Sequence, residues 1–209
     1  TLGEPIAIYN SSKLLIEKVQ ATQTLSGESE GRLPDGANNI VKFPITKTPG
    51  KSNYKPIESI VINEVLTHTD PPYEDAIELL NLSENPLNIS KWWISNSGSN
   101  LQKYQIPDGT IINPRSTLVF YEGQFNSAPG TDRSFALNSS QGGQVILSAT
   151  DSNSKLTGYR IPIEFEAAEN GISFGRIKTS LGDQLVTLTR PTFGVDSPAS
   201  IQSSRKGTG

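Results

Sequence analysis

The feature that most constrains this chain is its punctuation. Short alternating or β-branched runs are cut by turn-forming clusters roughly every 8–12 residues. "SIVINEVLTH" (59–68), "DAIELLNLS" (75–83), "PLNISKWWISN" (86–96), "STLVFYE" (116–122), "QVILSA" (144–149), "KLTGYRIPI" (155–163) and "QLVTLTR" (184–190) are such runs. Between the runs stand Asp-Pro-Pro, Asn-Ser-Gly-Ser, Pro-Asp-Gly, Asn-Pro, Gln-Gly-Gly and Asp-Ser-Asn-Ser. Gly and Pro enforce backbone angles that interrupt regular structure, and Asn and Asp bond to their own backbone in turns. No segment carries a convincing amphipathic helical period. The pattern predicts an all-β chain, an antiparallel β-sandwich. "LIEKVQATQ" (15–23) admits a helix, but its counterpart in a later repeat is strand-like, so it is read as a strand.

That repeat is the second constraint. "SEGRL" (29–33) and "SFGRI" (173–177) share Ser-x-Gly-Arg-aliphatic, with Arg32 and Arg176 144 positions apart. At the same offset Thr48 falls on Thr192 and Gly50 on Gly194, while "GEPIAIY" (3–9) resembles "GGQVILS" (142–148) at an offset of 139. A loop insertion explains the change of offset. Residues 1–53 therefore read as the C-terminal half of one unit, 54–56 as a linker, 57–199 as a complete unit and 200–209 as a flexible tail. The half unit is expected to expose strand edges unless another chain or segment completes it. Arg32 and Arg176 are read as structural, tying the last strands to the body, with Glu64 and Glu78 as candidate partners.

Composition removes several function classes. There is no Cys, so disulfides, thiolate metal sites and Cys nucleophiles are excluded. A net charge of −3 offers no basic footprint for nucleic acid. No apolar run is long enough for a spanning helix. The absence of Met fits a processed product or an excised piece. Low hydrophobic content (34%) with 18 Gly and 14 Pro suits an extracellular or envelope protein built of short strands.

The segments "VINEVLTH", "EDAIELLNLS", "KWWISNSG", "YQIPDGTIINPRSTLVFY", "GGQVILSA", "SFGRI" and "PTFG" together resemble the lamin tail domain of bacterial type. "TPGKSN" (48–53) resembles its ending more closely than "PTFGVDSP" (191–198) does. Lys91 stands where that family usually has Gly, and Phe193 where it usually has Pro. The resemblance implies an immunoglobulin-like sandwich. It also implies a non-catalytic structural, adhesive or docking module of a larger secreted or cell-surface protein. An accessory domain targeting an exported hydrolase, nuclease or spore-coat-type kinase is the alternative it leaves open. Fold alone names no ligand.

Candidate sites follow. Trp92 and Trp93 are adjacent, so in a strand they point to opposite faces. The family pattern aligns its Trp with Trp92, which implies a buried Trp92 and a more exposed Trp93. Trp93 and Tyr73 are the candidate binding aromatics, for protein or polysaccharide at the cell surface. Asp70, Glu74 and Asp75 surround a Pro-Pro turn and are the acids that could ligate calcium, although their spacing matches no defined loop and a solvated turn accounts for them. Otherwise no cofactor is expected. His68 is the only His and no nucleophile elbow accompanies it, so an enzyme is not expected.

Overall fold

The computed structural model describes residues 3–180 and 182–195. The chain separates into two compact units, Thr1–Lys55 and Pro56–Gly209. The expected tail at 200–209 lies outside the described residues.

The first unit holds two antiparallel hairpins. β1 (Pro5–Tyr9) pairs with β2 (Leu15–Gln20), and β3 (Ser29–Arg32) with β4 (Ile40–Phe43). The strand reading of "LIEKVQ" holds: its side chains alternate across a ladder rather than around a helix. Asn10 accepts the amides of Ser12 and Leu14 at 3.0 and 2.9 Å, which closes the β1–β2 turn.

The second unit is a sandwich. Its strands are β5 (Ile60–Leu66), β6 (Ala76–Asn81), β7 (Leu87–Asn88), β8 (Trp93–Ser95), β9 (Tyr104–Gln105), β10 (Ile111–Ile112) and β11 (Thr117–Tyr121). A single helical turn, α1 (Glu122–Phe125), follows, then β12 (Gly143–Thr150), β13 (Leu156–Phe165), β14 (Ser173–Thr179) and β15 (Gly182–Leu188). One sheet has the order β11-β6-β5-β14-β15 and the other β13-β12-β8-β9, all pairs antiparallel. This is the antiparallel sandwich the alternation predicts, with the immunoglobulin-like architecture the resemblance implies. Ile60, Ile62, Ile77 and Leu79 from one sheet meet Ile94, Val145, Leu147 and Ile163 from the other in one core.

The run 86–96 is not one strand. Asn88 accepts the Ser90 amide, and Lys91 takes a left-handed φ of +64°, breaking the run between β7 and β8. Few residues other than Gly occupy that region cheaply. The backbone here thus has the shape for which the Gly of the family pattern is suited, and Lys91 adopts it nonetheless.

β6 alternates as expected, with Ile77 and Leu79 toward the core. Glu78 on its other face is nevertheless fully buried. The chain after β15 folds back over that face and covers it.

Candidate functional site: an aromatic cleft at one end of the sandwich

The loops leaving β5 and β13 meet at one end of the sandwich. Tyr73 and Asp70 close a turn through a backbone bond of 3.1 Å. Thr69 donates its hydroxyl to Asp75, also at 3.1 Å. The Gly171 amide donates to the His68 carbonyl at 2.8 Å, and His68 Nδ1 donates to the Ala168 carbonyl at 3.1 Å. Asn170 donates its side-chain amide to Asp70. Glu74 accepts the Gly123 amide at 2.8 Å, and the Glu122 amide reaches the Asp75 carbonyl at 2.8 Å. The loop is therefore held from three sides of its own unit.

Between these loops opens a cleft of about 710 Å³, a size suited to a small ligand or a few side chains. Its apolar walls are Leu66, Pro72, Tyr73, Tyr121, Pro191 and Phe193; Thr69, Glu74 and Asn170 supply polar atoms. Tyr73 is 76% exposed and Tyr121 46%. Two well-exposed tyrosines beside prolines form the kind of surface that binds by apolar contact with little loss of side-chain freedom.

The other sequence candidates are placed differently. Trp93 is not exposed: it retains only 3% of its accessible surface. Trp92, expected to be buried, lies just before β8 and is only partly buried against the core, so the expected order of exposure is reversed. Arg133 lies over the Trp93 ring, 4.8 Å from its centre, and the segment carrying it covers the indole. A ring so covered offers no stacking face to a ligand. Adjacency in the sequence could not predict which of the two rings a distant segment covers.

Asp70, Glu74 and Asp75 have separate partners in Asn170, Gly123 and Thr69. Among the described residues no three His, Cys, Asp or Glu gather as a metal-binding group. Burial pushes the Asp75 carboxyl up from its ordinary 3.8 to about 6, helped by the Glu122 charge and opposed by the Thr69 hydroxyl and His68.

The arginines also find other partners than expected. Arg176 donates to the Ile62 carbonyl at 3.4 Å, and Arg32 to the Ala37 carbonyl and the Glu17 carboxylate. Burial presses the Arg176 guanidinium below its ordinary range, with Asp183 acting against that. Glu64 and Glu78 sit directly opposite one another on β5 and β6 and are buried. Their donors come from β5, β14 and the turn at residues 192–194. Glu64 accepts the Ser173 hydroxyl (2.6 Å), the Thr192 amide (2.8 Å) and the Thr192 hydroxyl (2.6 Å). Glu78 accepts the Gly194 amide (2.6 Å) and the Asn63 side chain (2.7 Å). The Arg pairing fails because a compact Thr-x-Gly turn brings several short-range donors to the acids, which a single guanidinium on a neighbouring strand does not. Burial, with the nearby Glu64 charge, raises the Glu78 carboxyl above its ordinary range, against the bonds from Gly194 and Asn63. This clasp went unseen in the sequence, although "NEV" and "IEL" placed both acids on paired strands.

No curated protein and no solved structure matches the chain. A family model for the lamin tail domain matches residues 54–162, just over half of it. That span holds β5 to β12 and most of β13, the framework on which the cleft and the buried acid pair are built. With the two-sheet topology and the family model in agreement, the chain belongs to the lamin tail domain family.

Proposed function

We propose that this lamin tail module is a non-catalytic docking domain of a larger secreted or cell-surface bacterial protein, and that the Tyr73 cleft holds a segment of a protein partner. The carrying observation is Tyr73 itself, a large aromatic left 76% exposed on a loop that hydrogen bonds hold in place. A preorganised loop loses little entropy on binding. The mostly apolar walls favour an apolar side chain of a protein over a sugar, whose hydroxyls need more polar partners than Thr69, Glu74 and Asn170 supply. The same cleft would serve an exported enzyme as its targeting surface. His68 supports the non-catalytic reading, because its Nδ1 is committed to a backbone carbonyl within the loop scaffold.

Panning a phage-displayed random peptide library against the intact chain tests this. Peptides with an apolar or aromatic anchor are expected to enrich. Their binding should fall ~10-fold or more in Tyr73→Ala, with an unchanged melting temperature. Enrichment indifferent to both Tyr73→Ala and Phe193→Ala would overturn the reading. Selective retention on a glycan array, lost in Tyr73→Ala, would replace the protein partner with a polysaccharide.

A further inference from the structure

The Thr1–Lys55 unit repeats the last four strands of the sandwich in geometric detail. In the β1–β2 turn, the Lys13 amide reaches the Asn10 carbonyl at 2.9 Å, Asn10 caps two amides, and Lys13 has φ +61°. In the β12–β13 turn, the Ser154 amide reaches the Asp151 carbonyl at 3.0 Å, Asp151 caps Asn153 and Lys155, and Ser154 has φ +62°. Ile6 faces Val19 as Val145 faces Ile163. Gly3 lies against the Ala21 backbone as Gly142 lies against that of Phe165.

The second hairpins agree as closely. Ser29 faces Phe43, and Ser173 faces Leu188. In each case the Gly two residues on leaves room for that buried side chain: a Cβ on Gly31 would come within 3.3 Å of Phe43, and one on Gly175 within 2.4 Å of Leu188. After each hairpin comes the same turn. The Lys51 amide bonds the Thr48 carbonyl, the Val195 amide bonds that of Thr192, and Gly50 and Gly194 have φ of +71° and +78°.

What differs is the other half. In the sandwich β14 is paired on both sides, by β15 and by β5, and β12 by β13 and β8. Among the described residues, β3 of the first unit pairs only with β4 and β1 only with β2. Val145 and Leu147 are fully buried, whereas Ile6 and Ile8 are 65% and 54% exposed. Thr192, Gly194 and Ser173 donate to two carboxylates on β5 and β6; Thr48, Gly50 and Ser29 hold the matching places, and there the Thr48 hydroxyl donates to the Asn53 side chain at 2.9 Å.

We infer that the outer edges of β3 and β1, beside which the Asn53 side chain bonds the Arg32 carbonyl at 3.0 Å, are a docking surface for the N-terminal half of another lamin tail unit: a β-strand pair with a carboxylate on each strand, on the face away from its core, at the positions of Glu64 and Glu78. The occupant is not a second copy of this chain. In each copy Glu64 and Glu78 are already saturated by donors of their own unit, which compete from within the same molecule. Strand addition at the β3 edge supplies main-chain bonds, and the carboxylates select the register. This inference concerns a different surface from the Tyr73 cleft and stands apart from it.

The test appends a copy of residues 56–141 ahead of Thr1 in the full chain through a flexible linker. Amide hydrogen exchange is then compared with that of the unmodified chain. The β3 amides are expected to slow by ~10-fold or more. The protection should disappear when the appended copy carries Glu64→Ala and Glu78→Ala. Unchanged β3 exchange, with the native Pro56–Gly209 unit still protected, would overturn the inference, as would protection that survives loss of both acids. Light scattering on the unmodified chain should give a single-chain mass. A concentration-dependent dimer with protected β3 amides would assign the edge to a second copy instead.

Discussion

The two units of this chain each contain a pair of antiparallel hairpins, in two energetic situations. In Pro56–Gly209, β12 to β15 are embedded: their apolar residues reach a common core, and the turn after β15 binds two buried acids. In Thr1–Lys55, β1 to β4 carry equivalent turns and registers, yet large apolar side chains such as Ile6, Ile8 and Ile16 remain mostly exposed. Isolated two-stranded hairpins are marginal in water, and a third strand or a covering layer is what makes them stable. The difference teaches that hairpin geometry is a local property here, while stability comes from the other half of the sandwich.

The largest effect that would break this comparison is at the acid clasp. Glu64→Ala strips the acceptor from the Ser173 hydroxyl and from the Thr192 amide and hydroxyl. Orphaned buried donors cost about 1–3 kcal/mol each, and relief of the repulsion with Glu78 returns part of that. A net loss on the order of 3 kcal/mol is expected in chemical denaturation of the Pro56–Gly209 unit. A loss within experimental error would mean that the clasp contributes nothing to the contrast between units.

A matched pair of truncations gives the next effect. Leu147→Ala removes a fully buried side chain and should cost about 2–5 kcal/mol. Ile8→Ala, at the corresponding place in the first unit, should stay within about 0.5 kcal/mol. Similar costs in the two units, read from their separate unfolding transitions, would show that Ile8 is covered in solution.

The smallest effect is a pH dependence whose sign differs between the units. Asp75 holds its proton up to about pH 6 in the fold, against 3.8 ordinarily. Below 3.8 it is neutral whether folded or not; between these values only the folded chain keeps the proton. Its contribution to stability is therefore full at low pH and lost as pH rises through 6. Asp75→Asn should be more stable than the parent above pH 6, by on the order of 1–2 kcal/mol, with the gap closing toward pH 4. Thermal melts across that range measure it. Glu30 of the first unit has the opposite tendency, held below its ordinary range by bonds from Thr22. A rising advantage of the Asn variant at low pH would refute the burial account.

The sequence by itself determined the local pieces. Alternation set the strand class and the inward face of β6, turn residues placed the hairpins, and the Ser-x-Gly-Arg repeat marked both second hairpins. These features are legible because their causes lie within a few residues: a side chain capping its own turn, or a Gly making room for a facing strand. Tertiary structure decided the rest. Trp93 lost its exposure to Arg133, 40 positions along. Apart from Asn63, the donors found for the acid pair, Ser173, Thr192 and Gly194, lie more than 100 positions away, in place of the arginines expected. The Tyr73 cleft exists because loops around Thr69, Gly123 and Asn170 converge on one end of the sandwich. Such contacts have no local period to read: they arise only once two sheets have packed and brought distant segments within hydrogen-bonding distance.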